Sequence, residues 1–325
     1  MQGRRRHLSG IQPSGLLHLG NYFGAIRKHI EEQDDGFYFI ANYHALTTTK
    51  DAEILREQTF DVAASYLAFG LDPQRATLFR QSDVPEVCEL MWLLMTVTGM
   101  GLLERGVSYK EKKDRGIVPS VGLFAYPALQ AADILAYDSD VVPVGKDQVQ
   151  HIEFTRDMAQ AFNRAYGDVF KIPEYTLGTP EPVPGIDGQK MSKSYGNSIP
   201  IFASGKALKK LCSSIVTDSK ELEDVKDPDT DTVFALYSLV ASEVEIAEMA
   251  ANYRAGGYGY GHAKMALKDA IEVRFAEARE KRAYFDSHRD EVEDVLRAGA
   301  SKARAIARDV TDRARAACGL DAPRA

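Results

Sequence analysis

Three cysteines in 325 residues, Cys88, Cys212 and Cys318, are too few, too scattered and odd in number for a disulfide framework. No CxxC pair exists that could begin a zinc or iron–sulfur site, so any metal must arrive with a ligand. Long apolar runs are missing as well. Nothing approaches the roughly 18 uninterrupted apolar residues of a membrane span, and Arg4-Arg5-Arg6 has no apolar segment behind it of the kind a secretory signal needs. These absences predict a cytoplasmic chain with no membrane partner. A global attraction to nucleic acid is also lacking, because 40 Lys and Arg stand against 47 Asp and Glu, a net charge of −7. DNA is therefore not an expected partner, and RNA would have to be met by a local basic surface.

What is present is 45% apolar residues in a chain long enough for one large domain or a large and a small one, each with its own core. Residues 8–202 alternate short apolar runs with amphipathic stretches, the pattern of an α/β fold on a parallel sheet. Phe37-Tyr38-Phe39-Ile40-Ala41, Ala76-Thr77-Leu78-Phe79-Arg80 and Val141-Val142-Pro143-Val144 read as strands. Asp51 to Phe69 reads as a helix with Gly70 at its C-cap, and Pro85 opens another through Trp92 and Leu94. After about Phe202 the strands stop, and helical periodicity covers 206–215, 231–255, 263–287 and 289–317. The Gly-rich segment Tyr253 to His262 reads as a hinge. The expected organisation is a Rossmann-like catalytic domain over 1–203 and an all-α domain over 204–325. In the last helix Arg297, Arg304, Arg308 and Arg315 fall at spacings of 7, 4 and 7, within about 20° of one line. This ridge is either a solvated outer face or an RNA-facing surface.

Two segments carry the chemistry. His18-Leu19-Gly20-Asn21 follows the Pro13-Ser14-Gly15 turn and should open a helix running to about Glu32. Free backbone N–H groups and the positive helix end attract phosphate there, and Gly20 lets a nucleotide approach without a Cβ in the way. Far downstream, Lys190-Met191-Ser192-Lys193-Ser194 sits among Pro182, Pro184, Gly185 and Gly188, so two lysines are carried on a loop that can close over a triphosphate and reopen. A third group lies in Leu123 to Leu135, where Tyr126, Gln130 and Asp133 stand at i, i+4 and i+7 and share one helix face. A carboxylate on an otherwise apolar face is suited to accept a buried hydrogen bond.

The HLGN and KMSKS segments together resemble the paired signatures of the class I aminoacyl-tRNA synthetases. Gly10-Ile11-Gln12-Pro13-Ser14-Gly15, the run Ala131-Ala132-Asp133-Ile134-Leu135, and Val142 to Gln148 resemble the tryptophan branch over almost the whole chain. The resemblance implies a tryptophan–tRNA ligase, which activates L-tryptophan with ATP and passes it to tRNA, with Mg2+ accompanying the nucleotide and a homodimer as the assembly. It implies that His18, Asn21, Lys112, Lys190 and Lys193 are catalytic. It further implies that Gln12, Pro13, Ser14, Gly20, Asn21, Gly145, Lys146, Asp147, Val183, Lys190, Met191, Ser192, Lys193 and Ser194 bind ATP. Tryptophan would be held by Asp133, Tyr126, Gln130, His44 and Gln148. An indole N–H is a donor without acceptor character, so Asp133 suits it, and a site built around that bond would reject phenylalanine. Most relatives carry methionine at the position of Gln130, and Tyr126-x3-Gln130-x2-Asp133 is also the tyrosine-binding pattern of the sister branch, so tyrosine stands as the rival substrate. A nucleotidylyltransferase without tRNA is the alternative from another class. The helical region 204–325 would bind tRNA, its arginine ridge gripping phosphates. No insertion large enough for a separate editing domain interrupts the α/β half.

Overall fold

Phe37, Tyr38, Phe39 and Ile40 are all buried, a run without a polar side that only a strand covered on both faces can hold. Their side chains alternate: Phe37 and Phe39 join one apolar cluster, Tyr38 and Ile40 the other. The computed structural model describes residues 6–106, 120–145, 148–177 and 182–321. In chain order it contains β1 (Leu8–Ile11), α1 (Leu19–Asn21), a π-helical turn (Tyr22–Ile26), α2 (Arg27–Glu31), β2 (Phe37–Ile40), α3 (Asn42–Ala45), α4 (Ala52–Ala68), β3 (Thr77–Arg80) and α5 (Glu86–Thr96). Then come α6 (Met100–Glu104), α7 (Val121–Leu135), β4 (Val141–Val144), α8 (Val149–Tyr166) and β5 (Glu174–Leu177). The remainder is helical: α9 (Gly205–Ser213), α10 (Thr232–Val240), α11 (Glu243–Ala255), α12 (Tyr260–Arg274), α13 (Ala276–Ser287) and α14 (Arg289–Ala317).

The strands β1, β2 and β3 pair in parallel, with Leu8 opposite Phe37 and Phe37 opposite Thr77. β4 and β5 form a second parallel pair, and a parallel bridge from His7 to Val141 sets β4 beside β1. The order is therefore β3-β2-β1-β4-β5, a Rossmann-like arrangement in which successive strands run outward on one side of β1 and then on the other. The crevice where that direction reverses, between the carboxyl ends of β1 and β4, is where open α/β sheets take ligands. β5 escaped the sequence reading because all four of its residues are exposed, leaving no burial pattern to detect.

The predicted helices hold with local corrections. Asp51 caps α4 by accepting from the amides of Glu53 and Ile54, and Gly70 follows with φ +97°. The run 231–255 is broken at Ser242, which starts α11 with a capping box to Glu245. The glycine hinge is confined to residues 256–259, with Gly256 and Gly257 at positive φ, and helix resumes at Tyr260. Gly256 is obligatory on space as well, since a Cβ there would lie 2.5 Å from the Glu223 carbonyl oxygen.

The last helix departs from expectation. Val292 and Leu296 of α14 join the cluster shared with the helical region, whereas Ala300, Ala303, Ala307, Val310 and Ala314 pack into the cluster under the sheet. Gly299 marks the crossing: a Cβ on it would sit 1.9 Å from the Leu78 carbonyl oxygen of β3, so this helix touches the strand backbone where only glycine fits. The arginine ridge is consequently turned toward α5. Arg304 and Arg308 both bond Glu86, at 2.9 and 3.0 Å, and Arg315 bonds Glu89 at 2.9 Å. Burial pushes the Glu86 carboxyl up, yet the two guanidinium groups prevail and hold it below the usual carboxylate range. Three of the four ridge arginines thus share two carboxylates of α5 while staying partly exposed, so the ridge is neither a bare solvated face nor a row of unpaired cations.

Candidate active site

A cleft of ≈ 580 Å3 opens at the reversal point, bounded by β1, the end of β4, α7 and the start of α8. Gln12, His44, Tyr126, Gln130, Gly145 and Gln148 all line it, so six of the expected site residues, scattered over more than a hundred positions of sequence, converge on one volume. Asp133 stands behind the wall, only 1% exposed. Its Oδ2 accepts from His44 Nε2 at 2.9 Å, and Gln81 Nε2 lies 2.8 Å from both carboxylate oxygens. Burial raises the Asp133 pKa, opposed by these bonds from His44 and Gln81. The cleft therefore reaches Asp133 through His44, which belongs to the lining. On the same helix face, Tyr126 places its hydroxyl 2.6 Å from Nε2 of His151 in α8, and His151 also lines the cleft.

The second pole is built around the start of the helix at Leu19. His18 is the N-cap residue, and its backbone N–H donates to Asn21 Oδ1 at 3.1 Å, so the asparagine closes the first turn onto the cap. His18 itself is 6% exposed, and its Nδ1 is buried without a hydrogen-bond partner among the described residues. Burial, then the charge of Lys193, brings its pKa down to about 4, so the ring is neutral at physiological pH. Gly20 is where the two signature segments meet. Its N–H points at Met191 Sδ, 3.4 Å away, and a Cβ on it would lie 2.9 Å from the His18 ring.

The lysine loop is stitched to this pole from behind. The Leu19 N–H donates to the Ile199 carbonyl and the Ile201 N–H to that of Leu17, while Met191, 4% exposed, donates its N–H to the Val183 carbonyl at 2.8 Å. Lys190 is exposed and has no carboxylate partner among the described residues. Lys193 reaches across to the turn and donates to the carbonyls of Gly15 at 2.7 Å and Ser14 at 3.2 Å, and burial lowers its pKa. Pro13 and Gly15, the latter at φ +96°, are engaged by the Gln58 amide once its oxygen and nitrogen are placed to suit their partners. Ser192 and Ser194 pair through their hydroxyls at 2.8 Å. Lys112, Lys146 and Asp147 lie outside the described residues.

Sequence reasoning missed Gln81 and His151. Gln81 had a usable signal: it follows β3 directly, as Gln12 follows β1 and Gly145 follows β4, and residues at those ends border the crevice of a parallel sheet. His151 carried none, because nothing in its neighbourhood of sequence points to Tyr126, 25 residues away. Among the described residues no group of three His, Cys, Asp or Glu side chains is arranged to hold a metal ion.

The family described as tRNA synthetases class I (W and Y) matches residues 1–276. A tryptophan–tRNA ligase of Rhodopirellula baltica is 56% identical over 318 residues, 97% of this chain and 99% of its own length. One of Fusobacterium nucleatum is 52% identical, over 97% of this chain and 98% of its own. Among solved structures, the tryptophanyl-tRNA synthetase of Campylobacter jejuni complexed with ADP and tryptophan superposes with a TM-score of 0.92 at 47% identity, covering 97% of this chain and 100% of that one.

Proposed function

The chain belongs to the class I tRNA synthetases for tryptophan and tyrosine, on the tryptophan side of that pair, and we propose how its residues divide the work. The reaction is the ATP-dependent joining of L-tryptophan to tRNA. The observation that carries the division of labour is that a cleft backed by a buried, braced carboxylate is lined by Gln12, the residue that leads from β1 into the Pro13-Ser14-Gly15 turn on which Lys193 rests. The indole lies along α7, its N–H toward the Asp133–His44 pair, with Tyr126 and Gln130 against the ring and Gln148 at the amino-acid polar end. ATP lies across Gln12, Pro13, Ser14, Gly20 and Gly145, its adenine near Val183 and its phosphates toward Lys190 and Lys193. Lys112, Lys146 and Asp147 belong to the same ATP contact by resemblance.

The tryptophan carboxylate attacks the α-phosphorus in line; the new C–O–P bond forms as the bond to pyrophosphate breaks, giving tryptophanyl-adenylate. A ribose hydroxyl at the tRNA 3′ end then attacks the activated carbonyl and AMP leaves. No protein nucleophile is needed. Catalysis is positioning plus stabilisation of charge on the transferring phosphoryl group and departing pyrophosphate. Magnesium comes with the triphosphate as part of the substrate. Asn21 contributes by fixing the helix start; because the Leu19, Gly20 and Asn21 N–H groups are already engaged by Ile199, Met191 and His18, the attraction for the phosphates falls to Lys190 and Lys193.

The helical residues from 204 onward serve tRNA, the exposed part of the arginine ridge included. A homodimer is supported by Trp92, Met100 and Val121, which are 65%, 63% and 81% exposed on the helices α5, α6 and α7. A sedimenting mass of one 35.9 kDa chain would overturn it. The cytoplasm is the compartment in which tRNA is charged, and no described helix is long and apolar enough to cross a membrane. The test of the site is amino-acid-dependent exchange of pyrophosphate into ATP, with tryptophan and tyrosine side by side. Exchange with tryptophan alone is expected. Equal exchange with tyrosine would remove Asp133 as an indole-selective anchor.

A further inference from the structure

Asn197 lies three residues beyond Ser194, outside the signature pentapeptide, and is 2% exposed. Its amide is used in full on the loop that carries the two lysines. Oδ1 accepts from the Ser192 N–H at 2.7 Å, while Nδ2 donates to the Lys190 carbonyl at 3.1 Å and to Asp187 Oδ1 at 2.8 Å. Its own carbonyl accepts from the Ile186 N–H at 2.9 Å. Because an N–H and a C=O are presented on either side of Met191, the orientation of the amide is determined by its partners. Gly185 closes over it so tightly that a Cβ there would fall 2.4 Å from the Asn197 amide. One planar amide thus stands in for a neighbouring strand and fixes the peptides on both sides of Met191. Lys190 belongs to the first of those peptides and Lys193 is the residue next after the second, and Met191 is simultaneously pinned to Val183 and Gly20.

We propose that Asn197 is a positioning residue for adenylate formation: it sets the backbone of the lysine loop so that Lys190 and Lys193 meet the phosphates of ATP, without touching the nucleotide itself. This rests on the assignment of the two lysines to ATP. Neither longer nor charged side chains can replace it. Glutamine has no room beside Gly185, and aspartate would turn an unprotonated oxygen toward the Lys190 carbonyl or the Asp187 carboxylate, like against like.

The experiment compares Asn197→Ala, Lys193→Ala and the double variant in tryptophan-dependent pyrophosphate exchange, with thermal midpoints recorded on the same samples. Asn197→Ala is expected to lower kcat by ~10–100-fold, the range that loss of positioning produces, while the KM for tryptophan stays within ~2-fold. Added to Lys193→Ala, it should lower the rate by no more than ~5-fold, because its path to the reaction runs through the loop. Asp187→Ala removes one of the three amide bonds at an exposed position and should lower kcat by ~2–5-fold with an unchanged thermal midpoint, which keeps the proposal testable if Asn197→Ala does not fold. A full, additive loss in the double variant, or a lowered midpoint with kcat intact, would overturn the proposal. An unaffected Lys193→Ala would instead remove the lysine assignment beneath it.

Discussion

At the end of the cleft assigned to tryptophan, the polar groups are already engaged with one another: both oxygens of Asp133 are within reach of Gln81, His44 bonds one of them, and Tyr126 is joined to His151. At the pole assigned to phosphate, neither lysine has a carboxylate in ion-pair contact among the described residues. Lys190 is exposed, Lys193 rests on two neutral carbonyls, and His18 keeps a buried nitrogen unpartnered among the described residues. The difference follows from what each ligand brings. An indole offers one weak donor and no charge, so discrimination has to come from a fixed, satisfied network that a wrong ligand would disturb. A triphosphate brings several negative charges of its own, so cations with only carbonyls to release can exchange partners readily and serve the charge that develops as pyrophosphate leaves.

Crossed kinetics should break that comparison most sharply. Asp133→Ala removes the acceptor and strands the donors of Gln81 and His44 in a buried place, so kcat/KM for tryptophan should fall by ~10^3-fold or more, with the KM for ATP nearly unchanged. Lys193→Ala should do the reverse, lowering kcat by ~10^2–10^3-fold while tryptophan binding, read by equilibrium dialysis, is retained. If either variant altered both ligands equally, the two ends would not be separate devices.

A smaller change sharpens the tryptophan end alone. Gln81→Ala deletes hydrogen bonding to a buried carboxylate without touching the charge, and should raise the KM for tryptophan by ~10–100-fold. Rates at saturating tryptophan would stay near wild type if Gln81 only orients Asp133, and a parallel fall in kcat would show that it does more.

The smallest effect is on stability with pH. His18 and His29 are both lowered from 6.5 to about 4, chiefly by burial and secondarily by Lys193 and Lys28 respectively. The unfolded chain therefore binds protons that the folded chain refuses, and stability, complete above about pH 6.5, drops as pH falls toward about 4. Urea midpoints at pH 7 and 4.5 should show a loss on the order of 1–3 kcal/mol per histidine. Lys193→Ala relieves part of the burden on His18, so its loss between the two pH values should be the smaller. An equal loss would mean that Lys193 does not act on His18 in the ligand-free protein.

Much of this arrangement was legible beforehand. The apolar runs at Phe37, Ala76 and Val141 marked strands because a strand covered on both faces needs continuous apolar sequence, and Asp51 and Gly70 bounded α4 by local backbone chemistry. The cleft residues on α7 were readable because their spacing alone puts them on one face. β5 was hidden for the opposite reason, being an exposed edge strand with no pattern to read.

The arginines of α14 mark the boundary between the two kinds of knowledge. Their alignment along one side of a helix is a consequence of a 3.6-residue period and was fixed by sequence, as were the two signature segments and the family they identify. What that side faces was decided by the packing of Gly299 against Leu78, which lays α14 along β3 and presents Arg304, Arg308 and Arg315 to Glu86 and Glu89. The same holds for Asp133: its place on a helix face is periodic and local, but its partners come from elsewhere, Gln81 from just beyond β3 and His44 from α3. Local geometry depends on neighbours in the chain, whereas the pairing of buried charges depends on which surfaces the core brings together, and only the folded whole determines that.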